Sequence, residues 1–210
     1  MPKSITESLK FALAENKLSL SIDHQAKLIS YLELLQRWNA IFNLTAITEI
    51  NEMIYLHLID CLLVNPFLNG FRMLDVGSGA GLPGLVLAII NPDQHWVLLD
   101  KSNKKTRFLT QAVAELQLKN VLVVTNHYQH FQTDFGFDTI LARALTNIHQ
   151  FVIEGEHLLA KKGFFLAMKG KYPKEELVDL PSGFVVQHIH NITIIGRNVE
   201  RHVVCITRND

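Results

Sequence analysis

The chain reads as an α/β protein: a mostly parallel sheet with helices on both faces, finished by an antiparallel strand pair and preceded by a helical extension. Three observations predict this. Short apolar runs alternate with helical patterns from Arg72 to Lys169. The first of those runs opens into a glycine-rich loop, and after Lys169 two strand patterns follow with no helical pattern between them.

The elements follow in order. Ser4-Ile5-Thr6-Glu7 is a capping box, in which hydroxyl and carboxylate take the free amides of a first helical turn, and its helix ends before Asn16-Lys17. Ser21 caps a longer helix, with Ile22, Ala26, Ile29, Leu32, Leu35, Trp38 and Phe42 at helical spacing up to Asn43. A third helix is expected over residues 49–64, with Ile50, Met53, Ile54, His57, Leu58 and Cys61 on one face, until Asn65-Pro66 and Asn69-Gly70 break it. On it, His57 and Asp60 have the spacing of a hydrogen-bonded pair. Residues 1–68 are thus expected to form a helical extension packed on a sheet-bearing part, 69–210, as one structural unit. Strands are predicted over 72–76, 95–100, 121–125, 137–142 and 163–169, and helices over 82–90, 104–116 and 147–159. Strands over 184–190 and 203–207, joined through residues 192–195 and the turn Gly196-Arg197-Asn198, make the closing hairpin.

At 210 residues and 48% hydrophobic, such a chain can bury about 70% of its unfolded surface. Its 20 Lys+Arg balance 20 Asp+Glu, so a nucleic acid would be met by a local patch rather than by bulk attraction. Cys61 and Cys205 lie far apart without metal-type spacing, which argues against a disulfide scaffold. His127 with His130 and His188 with His190 lack a third ligand, so no metal is expected. Met1-Pro2-Lys3 and the residues after it show no signal-peptide core, and the longest apolar run, 85–90, falls far short of the ~20 residues that span a bilayer. The expectation is a cytoplasmic protein with no membrane partner, and nothing demands more than a monomer.

The chemistry concentrates at Asp75-Val76-Gly77-Ser78-Gly79-Ala80-Gly81-Leu82-Pro83-Gly84. Glycines tolerate positive φ and let backbone N–H groups approach a ligand, here at the carboxyl edge of a parallel strand and the start of a helix. Asp100, ending the next strand, is placed to accept hydrogen bonds from both hydroxyls of a ribose. Together these describe a nucleoside site. Gly79 to Gly84 formally satisfies the dinucleotide fingerprint G-x-G-x-x-G, but a carboxylate at Asp75 would repel a pyrophosphate and suits a cofactor bearing an ammonium group. S-adenosylmethionine (AdoMet) is therefore favoured over a dinucleotide. A parallel Rossmann-like sheet ending in an antiparallel pair is also the architecture of class I AdoMet-dependent methyltransferases.

Several motifs in one order resemble the ribosomal small-subunit RNA guanine-N(7) methyltransferases, the glucose-inhibited division protein B family. They are the Gly77–Gly84 loop, Trp38-Asn39 with Asn43-Leu44-Thr45, Asn51-Glu52-Met53 followed by His57-Leu58-Ile59-Asp60, Leu98-Leu99-Asp100 with Lys105 and Arg107-Phe108-Leu109, Ala142-Arg143-Ala144, Lys169-Gly170, and Glu200-Arg201-His202. The resemblance spans nearly the whole chain. It implies AdoMet contacts from the backbone at Gly77 and Leu82, from Tyr128 and Gln129, and from Arg143. It also implies methylation of guanine-527 in the 530 loop of 16S ribosomal RNA, on RNA or small subunit. The family usually carries an acid where this chain has Gln129, whose amide can still bond an adenine edge.

The acceptor can be approached separately. Methyltransferases of exocyclic amines carry an Asn/Asp-Pro-Pro-aromatic turn after the fourth strand, and this chain has Ala142-Arg143-Ala144-Leu145. Guanine N7 has an in-plane lone pair, so orientation and proximity suffice without a general base. Arg143 and Lys169, at two strand ends, are the candidate catalytic residues; Asp75, Gly77, Gly79, Gly81, Leu82, Asp100, Tyr128, Gln129 and Arg143 the cofactor set. Lys101, Lys104, Lys105, Arg107, Lys171, Arg197 and Arg201 are the candidate RNA contacts, able to neutralise phosphates. Trp38, Asn39 and Asn43 are read as ties between the leading helices and the sheet, with a role toward the substrate as the alternative. An oxidoreductase would need a proton relay that Tyr172-Pro173-Lys174 does not offer, and a non-catalytic AdoMet- or RNA-binding adaptor is the remaining alternative.

Overall fold

The computed structural model describes residues 4–144, 147–197 and 199–209. Met1-Pro2-Lys3, Leu145 and Asn198, named above, lie outside the described residues. Seven strands form one sheet: β1 (Arg72–Val76), β2 (His95–Asp100), β3 (Val121–Thr125), β4 (Phe137–Arg143), β5 (Leu159–Lys169), β6 (Phe184–Ile194) and β7 (Val199–Arg208). Their order is β3-β2-β1-β4-β5-β7-β6. The first five run parallel, and β7 lies antiparallel to both β5 and β6. The chain steps outward from β1 to β3 and then returns to β4, so the strand order reverses between β1 and β4. In sheets of this kind the crevice outside the carboxyl ends at that reversal receives ligands.

Eight α-helical segments accompany the sheet among the described residues: α1 (Ile5–Glu15), α2 (Ile22–Phe42), α3 (Ile50–Met53), α4 (Asp60–Leu62), α5 (Gly84–Ile90), α6 (Asn103–Glu115), α7 (Ile148–Gly155) and α8 (Lys174–Val178). Leu28, Tyr31, Leu32 and Leu35 of α2 share a core with Leu85 and Val86 of α5 and Phe108 and Leu109 of α6. On the opposite face Phe151 and Val152 of α7 pack with Leu74, Val97, Leu99 and Ile140. The leading helices are therefore part of the layer that covers one face of the sheet.

The expected capping box forms: Glu7 N–H donates to Ser4 Oγ at 3.2 Å, and Ser4 N–H to a Glu7 carboxylate oxygen at 2.8 Å. Other expectations are corrected. The stripe on α2 is rotated, because Ile22 is 82% exposed and the buried face runs through Leu28, Tyr31, Leu32, Leu35 and Asn39. The third helix is not continuous, for a π-helical segment, Ile54–Ile59, separates α3 from α4. His57 and Asp60 do not pair: His57 Nε2 lies 3.0 Å from Thr45 Oγ1, while Asp60 turns to two arginines. The wider turn changes which residues share a face, so three-residue spacing no longer brings two side chains together. Helix α8 has no counterpart among the predicted elements, and its five residues are too few for a periodic signal. The hairpin is right in kind but longer, with its strands reaching Ile194 on one side and beginning at Val199 on the other.

Candidate functional site

The loop after β1 fixes the site. Gly77, Gly79 and Gly81 have φ of +68°, +58° and +89°, and the turn can follow that path because none carries a Cβ. A Cβ on Gly77 would meet nothing within 4 Å, whereas one on Gly84 would stand 2.5 Å from Asp75 Cβ and from Leu98 Cδ2. Gly77 thus faces the open crevice, and Gly84 lets α5 close onto the sheet.

The sequence reading had the loop's N–H groups meeting the ligand, but nearly all are engaged inside the protein. Gly77 and Ser78 donate to Leu99 O at 2.8 and 3.1 Å, Gly81 and Leu82 to Ser78 O at 2.7 and 3.0 Å. Gly79 N–H donates to Asp100 Oδ2 at 3.0 Å and Gly84 N–H to Asp75 Oδ2 at 3.0 Å. A pyrophosphate needs donors turned toward it. This loop has turned its donors inward, which suits a cofactor that brings its own donors and positive charge.

Asp75 is fully buried beneath the loop. Its Oδ1 has no hydrogen-bond partner among the described residues, and burial pushes the carboxyl up to about 7 against the pull of Ser78 and of Gly84 N–H. Asp100 is 4% exposed. Beyond Gly79, it accepts from Ser102 N–H at 2.9 Å and faces Lys105 Nζ at 3.5 Å. It borders a cavity of about 340 Å³ with Gly77, Lys101, Lys105, Tyr128 and Gln129. Tyr128 is a wall of that cavity: its hydroxyl donates to Phe151 O at 3.1 Å, where the missing side chain of Gly155 leaves it room. Gln129 is exposed and lies 3.1 Å from His130 Nε2.

Arg143, leaving β4, points away from that cavity toward the leading helices. Its Nη2 donates to Leu56 O at 3.0 Å and its Nη1 lies 3.4 Å from Asp60 Oδ2. Arg201 of β7 reaches the other oxygen of Asp60 at 3.1 Å. Burial raises the Asp60 carboxyl, and the two guanidinium groups pull it back down. A second cavity, about 220 Å³, opens between Asp60, Arg143, Lys169 and Arg201. Lys169 is held there by Glu176 of α8 at 2.7 Å, and Glu176 also accepts from Ile148 N–H at the start of α7.

The basic residues expected to meet RNA divide. Lys101, Arg107 and Lys171 are exposed, and Lys104 is exposed with its Nζ donating to Phe42 O at 2.8 Å. Arg197 instead pairs with Glu52 at 2.8 Å and lies 4.0 Å over the Tyr55 ring, and Arg201 with Asp60. These two tie the hairpin to the leading helices. Two contacts were missed. Tyr31 of α2 donates its hydroxyl to Ala80 O at 2.8 Å, bracing the glycine loop from behind, and Asn39 Oδ1 accepts from Thr45 N–H at 2.8 Å. Tyr31 carries no local signal, since its contact depends on which helix face meets the glycine loop, whereas Asn39 bonds within the Trp38 to Thr45 motif, tying α2 to its own following loop rather than to the sheet.

Sheet order, glycine loop and acidic strand end together are those of a class I AdoMet-dependent methyltransferase. Solved structures agree in fold: a glycopeptide N-methyltransferase, MtfA, solved with AdoMet, superposes with a TM-score of 0.63 over 73% of this chain and 88% of its own at 12% identity. The family model for rRNA small subunit methyltransferase G matches residues 24–204. Relatives of that name include one from Laribacter hongkongensis, 43% identical over 96% of this chain and 97% of its own. Another, from Nitrosococcus oceani, is 46% identical over 84% and 83%. The chain belongs to the rRNA small subunit methyltransferase G family.

Proposed function

We propose that the chain methylates N7 of a guanine in 16S ribosomal RNA, guanine-527 of the 530 loop, acting as a monomer in the cytoplasm on the RNA or the small subunit. When bound, AdoMet supplies a methyl group that leaves its sulfonium for the N7 lone pair, giving a neutral thioether and a cationic 7-methylguanine. The observation that carries the cofactor assignment is the inward-turned loop: the N–H groups of Gly77, Ser78, Gly79, Gly81 and Leu82 are spent inside the protein, and the cavity beside Gly77 is bordered by the Asp100 carboxylate. Asp100 would take the ribose hydroxyls, Tyr128 and Gln129 would border the adenine, and Leu82 and the glycines would set the loop's path. Asp75 acts from beneath, fixing the start of α5 through Gly84.

Acceptor chemistry is narrowed by what stands around the crevice. Carbon-5 methylation of a pyrimidine needs a thiolate nucleophile. Cys61 is buried with its thiol pushed far up, and Cys205 is pushed up to about 11 by burial. An in-plane nitrogen asks only for positioning, and Arg143, held by Leu56 O and Asp60, supplies a fixed cation at the end of β4. Exposed Lys101, Lys104, Arg107 and Lys171 would meet phosphates.

The test incubates the protein and methyl-labelled AdoMet with small subunits from cells lacking this gene, followed by digestion of the RNA. Label in 7-methylguanosine at one position is the expected result. Label in another nucleoside, or none while AdoMet binds, overturns the assignment.

A further inference from the structure

The loop that joins α2 to α3 borders a third cavity, about 420 Å³, lined by Gln36, Asn39, Asn43, Thr45, Thr48 and Met53 among others. No lining residue is charged. The side chains of Gln36, Asn43 and Thr48 and the Asn39 Nδ2 have no hydrogen-bond partner among the described residues, while Asn39 Oδ1 is fixed by Thr45 N–H. Unengaged primary amides in a neutral hollow present paired donors and acceptors, the chemistry that reads the edge of a heterocyclic base. An anion would find no counter-charge there. The hollow adjoins a phosphate-capable lysine, Lys104, whose Nζ is bonded to Phe42 O next to Asn43, and it is linked to the end of β4, because Thr45 bonds His57, whose neighbour Leu56 holds Arg143.

We propose that this cavity receives the acceptor guanine after it is turned out of the RNA, its amides bonding the base edge that carries N1–H and the 2-amino group while N7 faces the crevice. This rests on the function proposed above. The cavity has room for one base. Asn43, in the left-handed conformation at φ +48°, is held at the rim by the end of α2, and Asn39 is fixed on the floor.

The test compares wild type with Asn43→Ala and Gln36→Ala, both outside the core, on small subunits carrying guanine or inosine at the acceptor position. Inosine lacks the 2-amino group and keeps N7. The expected result is a fall of about tenfold or more in kcat/KM for each variant on the guanine substrate, with AdoMet affinity unchanged. Inosine should lower the wild-type rate similarly and the variants' rates much less. Unchanged kcat/KM in both variants overturns the proposal, as does a matching loss of AdoMet affinity, which would give the cavity to the cofactor. If wild type yields no 7-methylguanosine, the functional reading fails, and the cavity is then judged by binding alone. Guanosine 5′-monophosphate should shift the side-chain amide NMR signals of Asn39 and Asn43, and unshifted signals overturn the proposal independently of activity.

Discussion

Replacing Asp75 with Asn should change how the protein's stability depends on pH. The Asp75 carboxyl sits at about 7 in the fold against 3.8 for the free group, chiefly because burial disfavours its charge. The shift is about three units at about 1.4 kcal/mol each, so roughly 4 kcal/mol of stability is present below pH 4 and lost as pH rises to 7. His57 acts in the opposite direction. Burial lowers it from 6.5 to about 4, so its contribution, roughly 3 kcal/mol, is present above 6.5 and lost as pH falls through 4. Between pH 4 and 6.5 the two nearly cancel in the wild type. In Asp75→Asn the His57 contribution stands alone. The side-chain oxygen of Asn can still accept from Gly84 N–H, while its NH2 would occupy the place of the unpartnered Oδ1, a buried cost of about 1–3 kcal/mol that does not vary with pH. Urea unfolding of both proteins from pH 4.5 to 8 measures the difference directly. The variant should gain on the wild type by several kcal/mol across that range. A difference that stays constant would mean that Asp75 is already ionised in the fold at pH 5, and the reasoning from its burial would be wrong.

Three further outcomes are expected. Asp100→Asn, removing the charge from the acceptor beside the cavity, should weaken AdoMet binding about tenfold to a hundredfold, read by calorimetry, and should also cost about 1–3 kcal/mol in chemical unfolding, because the new NH2 must face either Gly79 N–H or Ser102 N–H. Gly84→Ala should cost about 2–3 kcal/mol in chemical unfolding, because its Cβ meets Asp75 and Leu98 at 2.5 Å. Asp60→Ala leaves Arg143 and Arg201 without their shared carboxylate. It should cost about 3 kcal/mol, the lower end for a buried pair because both guanidinium groups keep some solvent contact, and should lower methyl transfer more than AdoMet affinity.

What was legible in the sequence was local. The bounds of β1, β2 and β3 are as predicted because each is a short apolar run ended by a glycine, an acid or an Asn. The glycine loop announced itself through residues whose backbone no other side chain tolerates. What was not legible depends on distance in the chain. The π-helical segment has a helical composition like its neighbours, and Asp60 just after it finds its partners 83 and 141 positions away, where no local spacing points. Arg197 and Arg201 look in sequence like free surface cations. Their partners, Glu52 and Asp60, belong to helices that precede the sheet, so their engagement could not be read from spacing. The loop amides failed for the opposite reason: the glycines were seen, but which way each N–H turns is set by Leu99 O and Asp100 on the neighbouring strand.

The placement of β7 between β5 and β6 sets an order of assembly. β6 is synthesised before β7, yet it joins the sheet only through β7, so β6 has no place to dock until the strand after it exists. The same late strand brings Arg201 to Asp60. During synthesis the glycine loop and its covering helices can form early, while the second cavity stays open at one wall until the hairpin closes. A growing chain could therefore acquire its cofactor crevice before it acquires the geometry around Arg143, and would complete that geometry only with the hairpin in place.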